Sequence, residues 1–164
     1  MYVLLTGGIR LLILILLSLI FDFIIIYYLP LLGLGGLYFK PLMFVSTCII
    51  YLINNKKNKY IKKYFLFFAL MYDLLFGKLY FLYLLTFYIL YIIFLYLNSK
   101  LNNNIYLFVL CLLAFILIRS FILTLVYSDF SINLIVNEIL YGLLLNVIYG
   151  IILCYFLGIK HNKA

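Results

Sequence analysis

Acidic residues are nearly missing from this chain: Asp and Glu together number 4 in 164 residues, against 12 Lys and Arg. Histidine occurs once, as His161, and Cys48, Cys111 and Cys154 form no CxxC pair. Metal ligation by Cys and His needs clusters that this spacing does not supply. The HExxH, GxSxG and P-loop patterns are missing as well, and no carboxylates stand at a spacing useful for acid–base chemistry. These absences argue against an enzyme, and no cofactor or metal is expected.

Charge of either sign is scarce too, at 10% of residues, where soluble proteins average about 25%. What fills the space is apolar: 70% hydrophobic residues with a mean hydropathy of +1.31. A soluble domain of this size buries only about 70% of its unfolded surface, so the remaining apolar area needs lipid as its solvent. A net charge of +8 would point to nucleic acid in a soluble protein. Here the cations flank apolar runs, and anionic headgroups of a lipid bilayer are the fitting partner. No nucleic acid is expected. The three cysteines fall inside apolar runs and read as reduced packing residues.

The cations are also clustered. Lys56, Lys57, Lys59, Lys62 and Lys63 form one short stretch. Loops rich in Lys and Arg beside membrane spans stay in the cytoplasm. A span needs about 20 apolar residues, and the sequence offers six, at about 10–28, 36–54, 60–77, 79–97, 105–127 and 132–158. The first run shows no small-residue cleavage site and reads as a span. Pro30 closes it, a Gly-rich connection follows at 31–39, Gly77-Lys78 turns the third span into the fourth, and 128–131 turn the fifth into the sixth. This is an all-α, polytopic membrane fold, six transmembrane helices in a single domain covering 1–164, with both termini cytoplasmic. Arg10, the five loop lysines, Lys100, Lys160 and Lys163 then share the cytoplasmic side, nine cations in all, and only Lys40 and Lys78 lie outside.

Asp22, Asp73, Arg119 and Glu138 fall within the spans. An ionised group near mid-bilayer costs about 2.5–3.5 kcal/mol, so each needs a partner, a water-filled cavity or a helix end. Arg119 and Glu138 sit at similar depth on helices joined by a short turn, and they are the expected ion pair. In the sixth span Glu138, Gly142, Asn146, Gly150, Cys154 and Gly158 recur every fourth residue. Positions four apart share one helical face, and such a stripe of small and polar residues lets another helix approach closely. It serves equally for packing within the chain or for an interface between chains, including a homodimer.

The run Tyr64 to Leu79, which contains Tyr72-Asp73-Leu74-Leu75-Phe76-Gly77-Lys78, resembles the signature segment of the rod shape-determining protein MreD family, written GLLxDLLFG. Lys40-Pro41-Leu42-Met43-Phe44-Val45 resembles that family's PDLLL span start without its acid, and Asn146 resembles the polar residue of its closing helix. Phe68, Ala69 and Met71 stand where the family has glycines. The resemblance implies a non-enzymatic scaffold of bacterial cell elongation and peptidoglycan synthesis in the cytoplasmic membrane. Its implied partners are a bitopic MreC-like protein and, through it, MreB, RodA and a class B penicillin-binding protein. The implied fold is that of the substrate-binding subunit of energy-coupling-factor transporters, with Asp73 and Gly77 shaping the hairpin of the third and fourth spans and Asn146 ordering the sixth. The competing expectation is a subunit of such a transporter that binds a vitamin or similar small solute.

Overall fold

The computed structural model describes residues 2–28, 42–76, 81–127 and 132–157, with side chains for 10–28, 42–76, 81–126, 136, 143 and 145–157. Among these residues it contains six α-helices and no strand. They are α1 (Tyr2–Tyr28), α2 (Met43–Asn54), α3 (Ile61–Phe76), α4 (Leu82–Lys100), α5 (Asn104–Tyr127) and α6 (Ile132–Phe156). Each falls on one expected span. Among the described residues three stretches are long and apolar enough to cross a membrane: Arg10–Tyr28, Leu82–Lys100 and Asn104–Val126. The connections expected at 31–39, at Gly77-Lys78 and at 128–131 lie outside the described residues.

The second span departs most from expectation. Its described helix begins at Met43, has 12 residues, and at 1.5 Å per residue is about 18 Å long. That is well short of the roughly 30 Å of a bilayer's hydrocarbon core. It is also buried on every side, with Phe44 to Ile53 all in the core. A helix apolar all round is an interior helix, and α2 is the axle of the bundle. It packs against α1, α3, α5 and α6, while α4 closes the outside by packing on α3 and α5. Ser46, Thr47 and Cys48 supply the small girth that lets four neighbours crowd one helix.

α1 shows the opposite arrangement. Leu11, Ile15, Ser18, Leu19 and Asp22 are buried at helical spacing, while Leu12, Ile13, Leu16, Leu17, Ile20, Phe21 and Ile24 are exposed. Ser18 and Asp22 face inward, while a broad face of Leu, Ile and Phe points outward. Leu, Ile, Phe and Tyr likewise dominate the exposed positions of α3, α4 and α5. Soluble monomers rarely expose contiguous apolar patches beyond a few hundred Å².

Register follows from two contacts. Ser18 Oγ and Thr47 Oγ1 lie 2.8 Å apart, and Asp22 reaches the start of α2, so α1 and α2 run antiparallel. Continued down the pair, this register sets Arg10 opposite Asn55. Lys56 Nζ lies 3.4 Å from Asn98 Oδ1, which draws the end of α4 to the same place. One end of the bundle therefore gathers Arg10, Lys56, Lys57, Lys59, Lys62, Lys63 and Lys100, and the described carboxyl groups, Asp22 and Asp73, sit toward the other.

Candidate functional site

The first four N–H groups of any helix have no partner within it, and inside an apolar bundle water cannot serve them. α2 starts deep in the core, so its first turn must find acceptors on other helices. Three are supplied. The Met43 N–H donates to Asp22 Oδ1 (3.1 Å) and the Phe44 N–H to Asp22 Oδ2 (3.0 Å). The Leu42 N–H donates to Asn146 Oδ1 (3.0 Å). Asp22 and Asn146 are each 0% exposed, which leaves the protein as the only available source of partners. Carboxyl oxygens at a helix N-terminus also meet the positive end of the helix dipole.

The same device recurs on the next hairpin. Asp73 of α3 accepts the Tyr83 N–H on Oδ1 (2.9 Å) and the Leu84 N–H on Oδ2 (2.7 Å), at the start of α4. The residue that opens α4, Phe81, has φ 65°, the one left-handed non-glycine backbone among the described residues. Such a conformation costs a residue with a Cβ about 1–2 kcal/mol, and the cap from Asp73 helps hold it.

Aromatic rings join the two capped ends. Phe44 stacks on Tyr72 at 5.0 Å, and Tyr72 meets Tyr83 edge-on at 4.7 Å. Arg119 then places its guanidinium 5.7 Å from the Tyr83 ring centre. Tyr72 is 1% exposed, so the link is interior. Below it, Ser18 and Thr47 each also reach a carbonyl on their own helix, of Ile15 and Phe44, both at 2.8 Å. Of the three contacts only the one between Ser18 and Thr47 crosses the α1–α2 interface; the other two stay within their own helix.

The sequence candidates are distributed as follows. Asp73, Arg119 and Asn146 all take part in this network of caps and rings. Gly150 belongs to a separate contact: a Cβ added there would run into the Phe108 ring of α5, so the glycine is what lets α5 and α6 meet. Asn146, Gly150 and Cys154 are all buried inside the bundle, and this part of the stripe packs within the chain. The side chain of Glu138, the surroundings of Gly142, and residue Gly77 lie outside the described residues. So does the expected Arg119–Glu138 contact.

In the sequence Asp22 is a charge in need of a partner, a water-filled cavity or a helix end, and the structure supplies the helix end. Ser18, Thr47, Tyr72, Tyr83 and Phe108 are not among the sequence candidates. The available signal was Ser46-Thr47-Cys48, a run of small polar residues inside an apolar segment, which suits a crowded interior better than a lipid face. Chemically the arrangement accepts backbone hydrogen bonds and orders helices. Among the described residues no group of three or more His, Cys, Asp or Glu could hold a metal. No family model, curated protein or solved structure matches the chain.

Proposed function

We propose that this chain is a multi-pass membrane scaffold with six spans, its lysine loop and both termini cytoplasmic, that works through helix contacts and performs no chemistry. One observation carries the reading: Asp22, Asp73 and Asn146, three polar side chains that lipid would penalise, are all occupied in holding the first turns of other helices. A solute-binding subunit would instead turn such groups into a cavity. The gathering of Arg10, the loop lysines and Lys100 at one end supports the topology through the positive-inside rule.

Within this reading we assign the scaffold to the bacterial cell-elongation machinery in the cytoplasmic membrane, with an MreC-like bitopic protein as its direct partner. That assignment rests on the resemblance around Tyr64 to Leu79, together with Asn146. The capping roles give the resemblance a physical content, because Asp73 and Asn146, two residues that carry it, both organise helix starts. Crosslinking mass spectrometry in native membranes tests it. Recovery of an MreC-like protein is the expected result, and recovery of a transporter ATPase would overturn it in favour of a vitamin-binding subunit.

A further inference from the structure

A groove of about 550 Å³ runs along the outside of the bundle between α3, α4 and α5. Leu66, Phe81, Leu85, Tyr88, Ile122 and Val126 line it, an almost wholly apolar wall. One end of this wall is marked by charge. Lys62 stands one helical turn before Leu66 on the same face of α3, and its ammonium lies 5.0 Å from the Tyr88 ring centre and 6.0 Å from that of Tyr91. Tyr88 is therefore both a wall of the groove and the seat of the cation. Next to it Lys59 and Lys63 bracket the exposed Tyr60, at 4.9 and 5.9 Å. Cation–π contacts of this kind orient a lysine while leaving its donors open to an anion.

We propose that this groove holds an acyl chain of an anionic phospholipid, with the phosphate of its headgroup held by Lys62 and flanked by Lys59 and Lys63. Length fits: the wall from Phe81 to Tyr88 covers seven residues, about 10 Å at 1.5 Å each, so a chain rooted at Lys62 lies against it through much of one leaflet, half of a hydrocarbon core of roughly 30 Å. Size fits as well, since small-molecule pockets run from about 300 to 1,000 Å³. A docked helix about 10 Å wide would need a trough running the whole bilayer depth. Charge complementarity decides between lipids, because a zwitterionic headgroup offers a lysine triad less attraction than an anionic one. The proposal rests on the membrane placement given above and is independent of the scaffold role.

The test is native mass spectrometry of the full chain released from nanodiscs of equal parts phosphatidylglycerol and phosphatidylcholine. The wild type retains phosphatidylglycerol in excess, and Lys62→Gln lowers that excess about fivefold, the equivalent of one lysine near an anionic surface. Lys57→Gln, in the same loop and away from the groove, leaves the ratio unchanged. Leu85→Trp, which fills the groove at an exposed position, removes both lipids. Equal retention of the two lipids by the wild type overturns the proposal, as do equal effects of Lys57→Gln and Lys62→Gln, which would report the general charge of the loop. Displacement of the lipid by inorganic phosphate, or recovery of a bound transmembrane peptide in its place, also overturns it. Failure of the wild type to enter nanodiscs at all would instead count against the membrane placement.

Discussion

Asp22 and Asp73 stand in the same relation to the helices they cap. Each comes from the C-terminal half of one helix and gives one oxygen to each of two consecutive N–H groups at the start of the next helix, Met43 and Phe44 for the first, Tyr83 and Leu84 for the second. The two caps differ in setting. Asp22 is fully buried, while Asp73 is half-buried, so the same bonds carry different consequences.

Removing the first cap orphans the buried Phe44 N–H and the half-buried Met43 N–H. An orphaned buried donor costs about 1–3 kcal/mol, so Asp22→Ala is expected to destabilise the bundle by about 3 kcal/mol or more. Asp22→Asn keeps one acceptor oxygen and should lose about half as much. Thermal unfolding in detergent micelles ranks the three proteins; equal stability of Ala and Asn variants would mean that the bond kept by Asn contributes nothing.

At the second cap, where Asp73 is half-buried, solvent can partly substitute. Asp73→Ala is expected to cost about 1 kcal/mol, the usual value of an N-cap. Phe81→Gly should recover a similar amount by removing the Cβ from a left-handed backbone. In the double variant the two changes should offset in the same unfolding assay.

Gly150 and Phe108 form a steric lock between α6 and α5. Gly150→Leu should lower the folded yield sharply, since overpacking a filled core costs about 1–3 kcal/mol even for small additions. Phe108→Ala added to it opens the required space. A double-mutant cycle should give a favourable coupling above 1 kcal/mol; additive effects would mean that the two residues are not in contact.

Arg119 lies over Tyr83 on α4, and Glu138 is its expected ion-pair partner. Arg119→Ala is expected to reduce membrane expression, with Glu138→Ala partly restoring it, because removing one member of a buried pair strands the other. A double variant as poor as the sum of the singles would separate the two residues.

Much of the helix pattern was legible because apolar runs broken by Lys, Asn and Gly mark helices regardless of tertiary detail. That Asp22 and Asp73 need a partner, a cavity or a helix end was legible because lipid penalises charge, and Asn146 was legible as a member of the four-residue stripe. What escaped was long-range. Nothing in the run from Gly36 to Asn54 tells that the described helix starts at Met43, because that start is matched to the depth of Asp22 on another helix. Nor does a fully apolar segment declare whether its neighbours are lipid or protein. Ser46, Thr47 and Cys48 were the faint sign that α2 lies inside. Gly150 was visible as part of a stripe, but its contact with Phe108 depends on how α5 and α6 are rotated toward each other.

Hydrogen exchange at the Met43 and Phe44 amides, followed in wild type and in Asp22→Ala, addresses the inter-helix cap itself. Both amides should be strongly protected in the wild type, and protection should fall about 100-fold in the variant, the equivalent of roughly 2.7 kcal/mol, while amides near the middle of α5 change less. If both amides exchanged at the same slow rate in the two proteins, Asp22 would not be holding α2, and the reading of these buried polar groups as fasteners would be wrong.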